Sequence, residues 1–160
     1  MTAPLATLSL PSGPVELRRA QRADLPGLVG LLADDPLGRA RESEDLEPYE
    51  RAFAAIDADP AHLLVVATRA GALAGTLQLS VLPGLPYAGA LRAQIEGVFV
   101  AAADRGEGLG AGLLTWAIDE ARERGCVLVQ LTSDRSRTGA HRFYERLGFV
   151  ASHEGFKLAL

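Results

Sequence analysis

The sequence predicts a single α/β domain with a mixed sheet of about six or seven strands, flanked by about four helices. Its 160 residues suit one domain, and 48% hydrophobic with 22% charged residues is an ordinary balance for a globular chain. The strands predicted before about residue 101 form a meander, and the strands after it alternate with helices. A meander followed by β-α-β units predicts a mixed sheet.

The predicted domain covers residues 15–160 and follows a loose arm at 1–14. The arm is expected because these residues are small, include proline and show only weak patterning. No linker, repeat or low-complexity stretch divides the remainder of the sequence. One continuous domain is therefore expected.

Hydrophobic periodicity and turn residues predict the individual elements. Apolar residues at helical spacing favour the helices, with Asp24 as an N-cap of the first and Gly125 as a C-cap of the third. Alternating or continuous apolar runs favour the strands, and Ala70 and Gly71 form a tight hairpin turn. The predicted helices cover about 25–35, 41–60, 109–124 and 138–147, and the predicted strands cover about 15–20, 62–69, 72–82, 91–101, 127–133, 149–153 and 156–160.

Charge and cysteine content argue against several classes of function. A formal net charge of −4 is against nucleic acid as the main partner, because binding a polyphosphate needs a basic surface. The one cysteine, Cys126, adjoins a strand-like run and is expected to be a buried hydrophobic residue. No metal-ligand spacing is present, so no metal is expected. The sequence lacks a run of about 20 apolar residues, so no membrane association is expected. A cytoplasmic location is expected instead.

The stretch DRGEGLGAGLL, residues 104–114, contains four alternating glycines around the start of a predicted helix. Unpaired N–H groups at a helix N-terminus suit an anion such as phosphate, and glycine allows close approach. The nucleoside triphosphate loop is excluded because it needs a lysine after its last glycine. The dinucleotide fingerprint fits Gly106, Gly108 and Ala111, but it normally opens a series of β-α-β units, and only 49 residues follow Ala111.

A third phosphate-binding pattern, R-x-x-G-x-G, is satisfied by Arg105, Gly108 and Gly110. A second motif, AHRFYERLGF at residues 140–149, follows it in the sequence. Together the two stretches resemble the signatures of the GNAT superfamily of N-acyltransferases, in the family's order. The resemblance is strong over about 93–149, and the opening VELRRAQRADLPGLVGLL is similar to the family's first strand and helix.

This resemblance implies a splayed sheet and coenzyme A as the carrier of the acyl group. In the family, the glycine loop binds the coenzyme A pyrophosphate and the preceding strand pairs with the pantetheine arm. Glu107 is expected to point to solvent, away from the phosphates. The implied cofactor-binding residues are Phe99, Val100, Arg105, Gly106, Glu107, Gly108, Leu109, Gly110, Ala111 and Arg137.

Two residues are implied as catalytic by the same resemblance. Tyr144 matches the tyrosine that protonates the leaving thiolate, with packing at a helix end as its structural alternative. Glu96 matches a strand acid that some relatives use as a base, often through water. Substrate recognition or a structural ion pair remain alternatives for Glu96. His141 is expected to be a surface histidine.

One position departs from the family pattern. Many members carry Asn seven residues before the tyrosine, where this sequence has Arg137. An arginine there could reach the 3′-phosphate of coenzyme A or the acceptor, and Ser133 could supply the missing polar contact. Tyr87, in the loop LPGLPYAG, is a candidate substrate contact, with a surface aromatic as its alternative.

The function implied is acetyl transfer from acetyl-CoA to a primary amine, on a small molecule or a peptide. A catalytically silent acyl-CoA sensor is the alternative from a different class, and a nucleotide-binding module is a second. Edge strands near the C-terminus could also pair two subunits into a homodimer.

Overall fold

The computed structural model describes residues 3–160 and confirms the α/β class, with one six-stranded mixed sheet. The strands follow one another across the sheet in sequence order. They are β1 (Ala6–Leu10), β2 (Gly13–Arg19), β3 (His62–Arg69), β4 (Ala72–Leu82), β5 (Leu91–Val100) and β6 (Cys126–Gln130). The helices are α1 (Leu25–Asp34), α2 (Glu47–Ala58), α3 (Pro86–Gly89), α4 (Leu109–Glu123) and α5 (Thr138–Arg146).

The strand pairing changes from antiparallel to parallel at β5. Strands β1 to β5 form an antiparallel meander, and β6 runs parallel to β5. A parallel neighbour needs a crossover connection, which here is the glycine loop followed by α4. The end of β5 therefore leads directly into the helix N-terminus that the sequence identified.

Helices cover both faces of the sheet. Neighbouring strand residues point to opposite faces, and Val65 and Val66 of β3 accordingly belong to two separate apolar clusters. The cluster with Val65 packs against α4, whose Leu113 and Leu114 are fully buried. The cluster with Val66 packs against α1 through Leu28. We call these two sides the α4 face and the α1/α2 face.

The expected loose arm is wrong for residues 6–14, because β1 pairs with β2 from Ala6 opposite Leu17 to Leu10 opposite Gly13. Leu8 and Leu10 pack against the α4 face of the core. Gly112 of α4 makes room for this strand, since a Cβ atom there would lie 2.9 Å from Leu8 Cδ1. The alternation in ATLSL followed by the turn PSG was the available signal. Residues 1 and 2 of the arm lie outside the described chain.

The two expected C-terminal strands, 149–153 and 156–160, do not form in the structure. The apolar alternation is present, but Phe156, Leu158 and Leu160 are exposed. A strand requires a hydrogen-bonded neighbour, and β6, at the edge of the sheet, ends at Gln130. Phe149 is held differently, with its amide bonded to the Tyr144 carbonyl.

A charged pair fixes the start of α1. Arg18 of β2 donates two hydrogen bonds of 2.8 Å to the carboxylate of Asp24, which also accepts the Gln21 amide at 2.7 Å. The bond from Arg18 lowers the pKa of Asp24 more than partial burial raises it. This contact ties the N-terminal end of α1 to the sheet.

We expect Asp24→Asn to lower the free energy of unfolding by about 2 kcal/mol near pH 7, because it removes a charge-assisted bidentate contact. A lowered folded-state pKa stabilises the fold above the usual pKa of aspartate, and this contribution is lost as the pH falls. The difference between the proteins should therefore shrink below about pH 4. Urea titrations at several pH values measure it. Asp119→Asn, in the exposed pair with Arg122, is the control, and equal losses in both variants would refute the role of Asp24.

Candidate active site

The two strands of the parallel pair separate part-way along β5. Their ladder joins Leu91 to Cys126 and ends at Gln94 opposite Gln130, whereas β5 stays paired with β4 as far as Val100. The edge of β5 from residue 95 to residue 100 therefore has no β6 neighbour. Backbone groups on such an edge are available to an extended ligand that carries amide groups of its own.

A bulge interrupts β5 at the same place. Thr76 of β4 lies opposite Phe99 and Gln78 lies opposite Glu96, so that one β4 residue faces both Gly97 and Val98. Gly97 has a φ of +58°, a left-handed conformation that glycine adopts without a steric penalty. Bulges are frequent next to active sites because they redirect backbone groups.

The glycine loop begins at the end of this free edge. Gly106 and Gly108 have φ values of +78° and +84°, and Gly108 is the N-cap of α4. A Cβ atom at either position would meet no atom within 4 Å, so both glycines border open space. The first amides of α4 have no intrahelical acceptors, and they make this a site suited to an anion.

A cavity of about 440 Å³ lies over this helix end. We call it the loop cavity. One wall comes from α5, and Arg105 and Arg146 contribute positive charge. It is lined by Val100, Asp104, Arg105, Gly106, Gly108, Leu109, Gly110, Ala111, Phe143, Arg146 and Leu147.

Three contacts hold the loop in place. The carboxylate of Asp104 accepts a bond of 2.8 Å from Arg69, which also donates to the Ser12 carbonyl at 2.8 Å. Arg105 donates from Nε to the Val100 carbonyl at 3.1 Å. A loop fixed in this way loses little conformational entropy when a ligand binds.

Two further ion pairs connect the end of α1 with the loop cavity and α5. Arg137, the N-cap of α5, bonds Asp35 at 2.6 Å, and Arg105 approaches Asp34 at 3.5 Å. Burial works to raise the pKa of Asp35, but the bond and charge of Arg137, together with the backbone amides of Gly38 and Leu37, outweigh it and the pKa is lowered. Arg137 is thus directed to α1 in this structure.

Tyr144 lies among aromatic side chains on α5. Its ring centroid is 5.4 Å from that of Phe143 and 5.9 Å from that of Phe149. Burial raises the pKa of the Tyr144 phenol, although the charge of Arg137 opposes this rise. Within residues 3–160 its hydroxyl group has no hydrogen-bond partner. The phenol is therefore neutral at physiological pH and retains its proton for donation.

A second cavity, of about 170 Å³, lies on the α1/α2 face. We call it the helix cavity. Gln78 and Gly97 line it at the sheet, and α1 and α2 supply the remainder, including Leu32 and Phe53. Ile95 is buried on the α4 face, so its neighbour Glu96 points to the α1/α2 face, beside Gln78. Glu96 is exposed and does not itself line this cavity, but it directly precedes Gly97, which does.

The sequence profile of the Acetyltransferase (GNAT) family matches residues 27–149. The chain belongs to the GNAT family. It is 32% identical over 145 residues to the aminoalkylphosphonate N-acetyltransferase of Salmonella typhimurium, which covers 91% of each chain. The chain is therefore an acyltransferase by family, as the sequence predicted.

Solved GNAT-like structures agree with this assignment. A transcriptional regulator from Bacillus halodurans has a TM-score of 0.88 at 48% identity, covering 91% of this chain and 99% of its own. An acetyltransferase of Trypanosoma brucei has a TM-score of 0.76 at 28% identity, with coverage of 91% and 99%. The predicted GNAT-like fold is confirmed.

Seven of the thirteen predicted site residues line the loop cavity. The six that do not are Glu96, Phe99, Glu107, Arg137, Tyr144 and Tyr87. Glu107 is exposed and does not line the loop cavity. Phe99 lies on the free edge of β5. Tyr87 lies in α3, before β5, and lines neither cavity described here. Its backbone, like that of Ala88, is left-handed.

Several site residues were not predicted from the sequence. Phe143, Arg146 and Leu147 form one wall of the loop cavity, at the i, i+3 and i+4 spacing of a helix face that begins next to Tyr144. Gly97 is a further site residue that was not predicted. Its signal in the sequence is a glycine inside a strand, which often marks a bulge. Both signals are local and readable.

Two residue classes need no catalytic role. Burial raises the pKa of the Cys126 thiol above its usual value, which makes it a poor nucleophile. His141 bonds the Asp134 carbonyl at 2.9 Å and supports the turn before α5.

In the described range 3–160, no three His, Cys, Asp or Glu side chains cluster in a way that could bind a metal. Each helix in that range is too short or too polar to cross a bilayer.

Proposed function

We propose that this GNAT protein transfers the acetyl group of acetyl-CoA directly to a primary amine. The observation that carries the proposal is the position of the two cavities relative to β5. The loop cavity touches Val100 and the helix cavity touches Gly97. Both therefore border the stretch of β5 that lacks a neighbour, with a phosphate-binding helix end on one side and Glu96 on the other.

The residues at the loop cavity fit acetyl-CoA, the donor that the GNAT family uses. The amides that begin α4 and the guanidinium of Arg105 bind the pyrophosphate, and the free edge of β5 pairs with the pantetheine amides. Ser133, just beyond β6, has a buried Oγ atom without a partner in the described chain. An orphaned hydroxyl at this point is suited to a ligand contact.

Three groups of the chain then divide the chemistry. The bound thioester supplies an activated acetyl group. Glu96 accepts the proton of the attacking amine, directly or through water, and a backbone N–H at the bulge, at Val98 or Phe99, stabilises the negative carbonyl oxygen. The C–N bond forms, the C–S bond breaks, and Tyr144 donates its proton to the thiolate.

The proposal is tested by thiol release from acetyl-CoA with a panel of primary amines, together with calorimetry of acetyl-CoA binding. We expect binding and turnover. Binding without turnover on any amine would instead favour a silent acyl-CoA sensor. Thermal stabilisation by NAD but not by coenzyme A would contradict the donor assignment.

Glu96→Gln should lower kcat/KM by about 100-fold near neutral pH, since it removes the proton acceptor on the α1/α2 face. The deficit should narrow towards about pH 10, where more of the amine is already deprotonated. A pH profile of thiol release measures both effects. Glu16→Gln, on the exposed face of β2, is the matched control. A deficit that is independent of pH would show that Glu96 is not the base.

A further inference from the structure

The helix cavity is almost entirely apolar. Of its polar side chains, Thr76 donates to the Val65 carbonyl at 2.7 Å, and the Tyr49 hydroxyl donates to Glu42 and accepts the Ser43 amide. Gln78 makes one long contact of 3.4 Å to Ser80. No side chain that lines the cavity is charged. Its interior thus offers no counter-ion to an anionic group.

We infer that the acceptor is a small primary amine with a compact apolar body, which occupies the helix cavity while its nitrogen lies at Glu96. This inference rests on the proposed function and specifies its substrate class. The cavity is continuous with the site, because Gln78 and Gly97 line it and Gln78 lies directly opposite Glu96. An amine that reaches the free edge of β5 from this face therefore places its next carbons in the cavity.

The size of the cavity limits the body. A dry cavity of about 150 Å³ lined by Leu, Ile and Phe holds one benzene ring. The helix cavity, at about 170 Å³ and with a similar lining, suits one six-membered ring or a branched chain of similar size. The buried side chain of Leu28 and the partly buried Phe53 line it on the helix side. A body that continues as a long chain would extend beyond the cavity.

Charge decides against the acceptor class named for the Salmonella relative. An aminoalkylphosphonate carries its anionic group a few bonds from the amine. In this chain that group would enter a cavity without cations, and burying an unpaired charge is strongly unfavourable. The substrate class of this chain is therefore expected to differ from that in the relative's name.

A series of amines tests the inference by thiol release. We expect kcat/KM to rise by about fourfold for each methylene group from ethylamine to butylamine, as apolar surface is buried. Phenethylamine should be used well, and ethanolamine and aminoethylphosphonate poorly. A short peptide with a free N-terminus forms a further arm. Preference for the phosphonate, for ethanolamine or for the peptide would overturn the inference.

Ala52→Phe fills the cavity from α2 and tests the location of the body. We expect it to lower the ratio of kcat/KM for phenethylamine to that for ethylamine by about tenfold or more. Ala55→Phe is the matched control, because Ala55 is also exposed on α2 but does not line the cavity. A ratio that Ala52→Phe leaves unchanged would overturn the inference, and thermal melting confirms that both variants fold.

Two readouts separate this inference from the proposed function. Turnover with a preference for polar amines refutes only the inference, whereas no turnover with any amine refutes the proposed function. If no amine is turned over, calorimetry of phenethylamine binding still tests whether the helix cavity binds an apolar amine. Binding that Ala52→Phe weakens and Ala55→Phe does not supports an apolar amine site, and no binding to the unmodified protein overturns it.

Discussion

Gly108→Trp is expected to abolish acetyl-CoA binding, with a rise in Kd of about 100-fold or more, which corresponds to ~2.8 kcal/mol. Gly108 is the N-cap of α4 and borders the open space of the loop cavity. An indole at this position would occupy the space in which a pyrophosphate reaches the helix amides. Isothermal titration calorimetry with acetyl-CoA measures the change.

The variant also places a side chain at a φ of +84°, which costs about 1–2 kcal/mol of backbone strain. Gly125→Trp controls for that strain. Gly125 follows α4 at a φ of +79°, and a Cβ atom there also meets nothing within 4 Å, but it does not line the loop cavity. Gly125→Trp should bind acetyl-CoA normally. Normal binding by Gly108→Trp as well would remove the loop from the donor site.

Tyr144→Phe is expected to lower kcat by about 100-fold while leaving the Kd for acetyl-CoA nearly unchanged. The substitution removes only the hydroxyl group, so the ring contacts with Phe143 and Phe149 remain. The loss therefore reports proton donation to the leaving thiolate rather than packing. Steady-state thiol release gives kcat, and calorimetry gives the affinity.

Tyr87→Phe is the companion variant, since Tyr87 is exposed and lines neither cavity. It should retain full activity. The raised pKa of Tyr144 adds a second expectation: the neutral phenol persists to alkaline pH, so that this group does not limit kcat below about pH 10. Equal activity of Tyr144→Phe and the unmodified protein would remove Tyr144 from the mechanism.

Local patterns predicted the elements from β2 to α5, except the short α3 in the expected loop LPGLPYAG, because each of them carries its own signal. The hairpin of β3 and β4, the glycine loop and the helix-ending Gly125, which follows the C-cap Arg124, are readable within a few residues. The short strand β1 was missed because five residues alternate too briefly to outweigh the neighbouring prolines. The C-terminal strands were overpredicted because alternation reports propensity and not the presence of a hydrogen-bonding edge.

Long-range geometry was beyond the sequence patterns. Asp35 and Arg137 are 102 residues apart, and no local rule pairs them. Asp35 is one of six acidic residues between positions 34 and 47, and a run of acidic residues is ordinarily interpreted as a solvated face. The helix cavity depends in the same way on how α1 and α2 pack over β4 and β5. The family signatures identify the donor, whereas the acceptor side depends on tertiary packing.

In the proposed reaction, acetyl transfer occurs directly across the free edge of β5, between a donor on one face and an amine on the other. A single-turnover experiment with rapid quenching and intact-mass spectrometry tests it. We expect acetylated amine to form while the mass of the protein stays unchanged at every time point. An acetylated protein that forms with acetyl-CoA alone and then disappears when amine is added would contradict direct transfer.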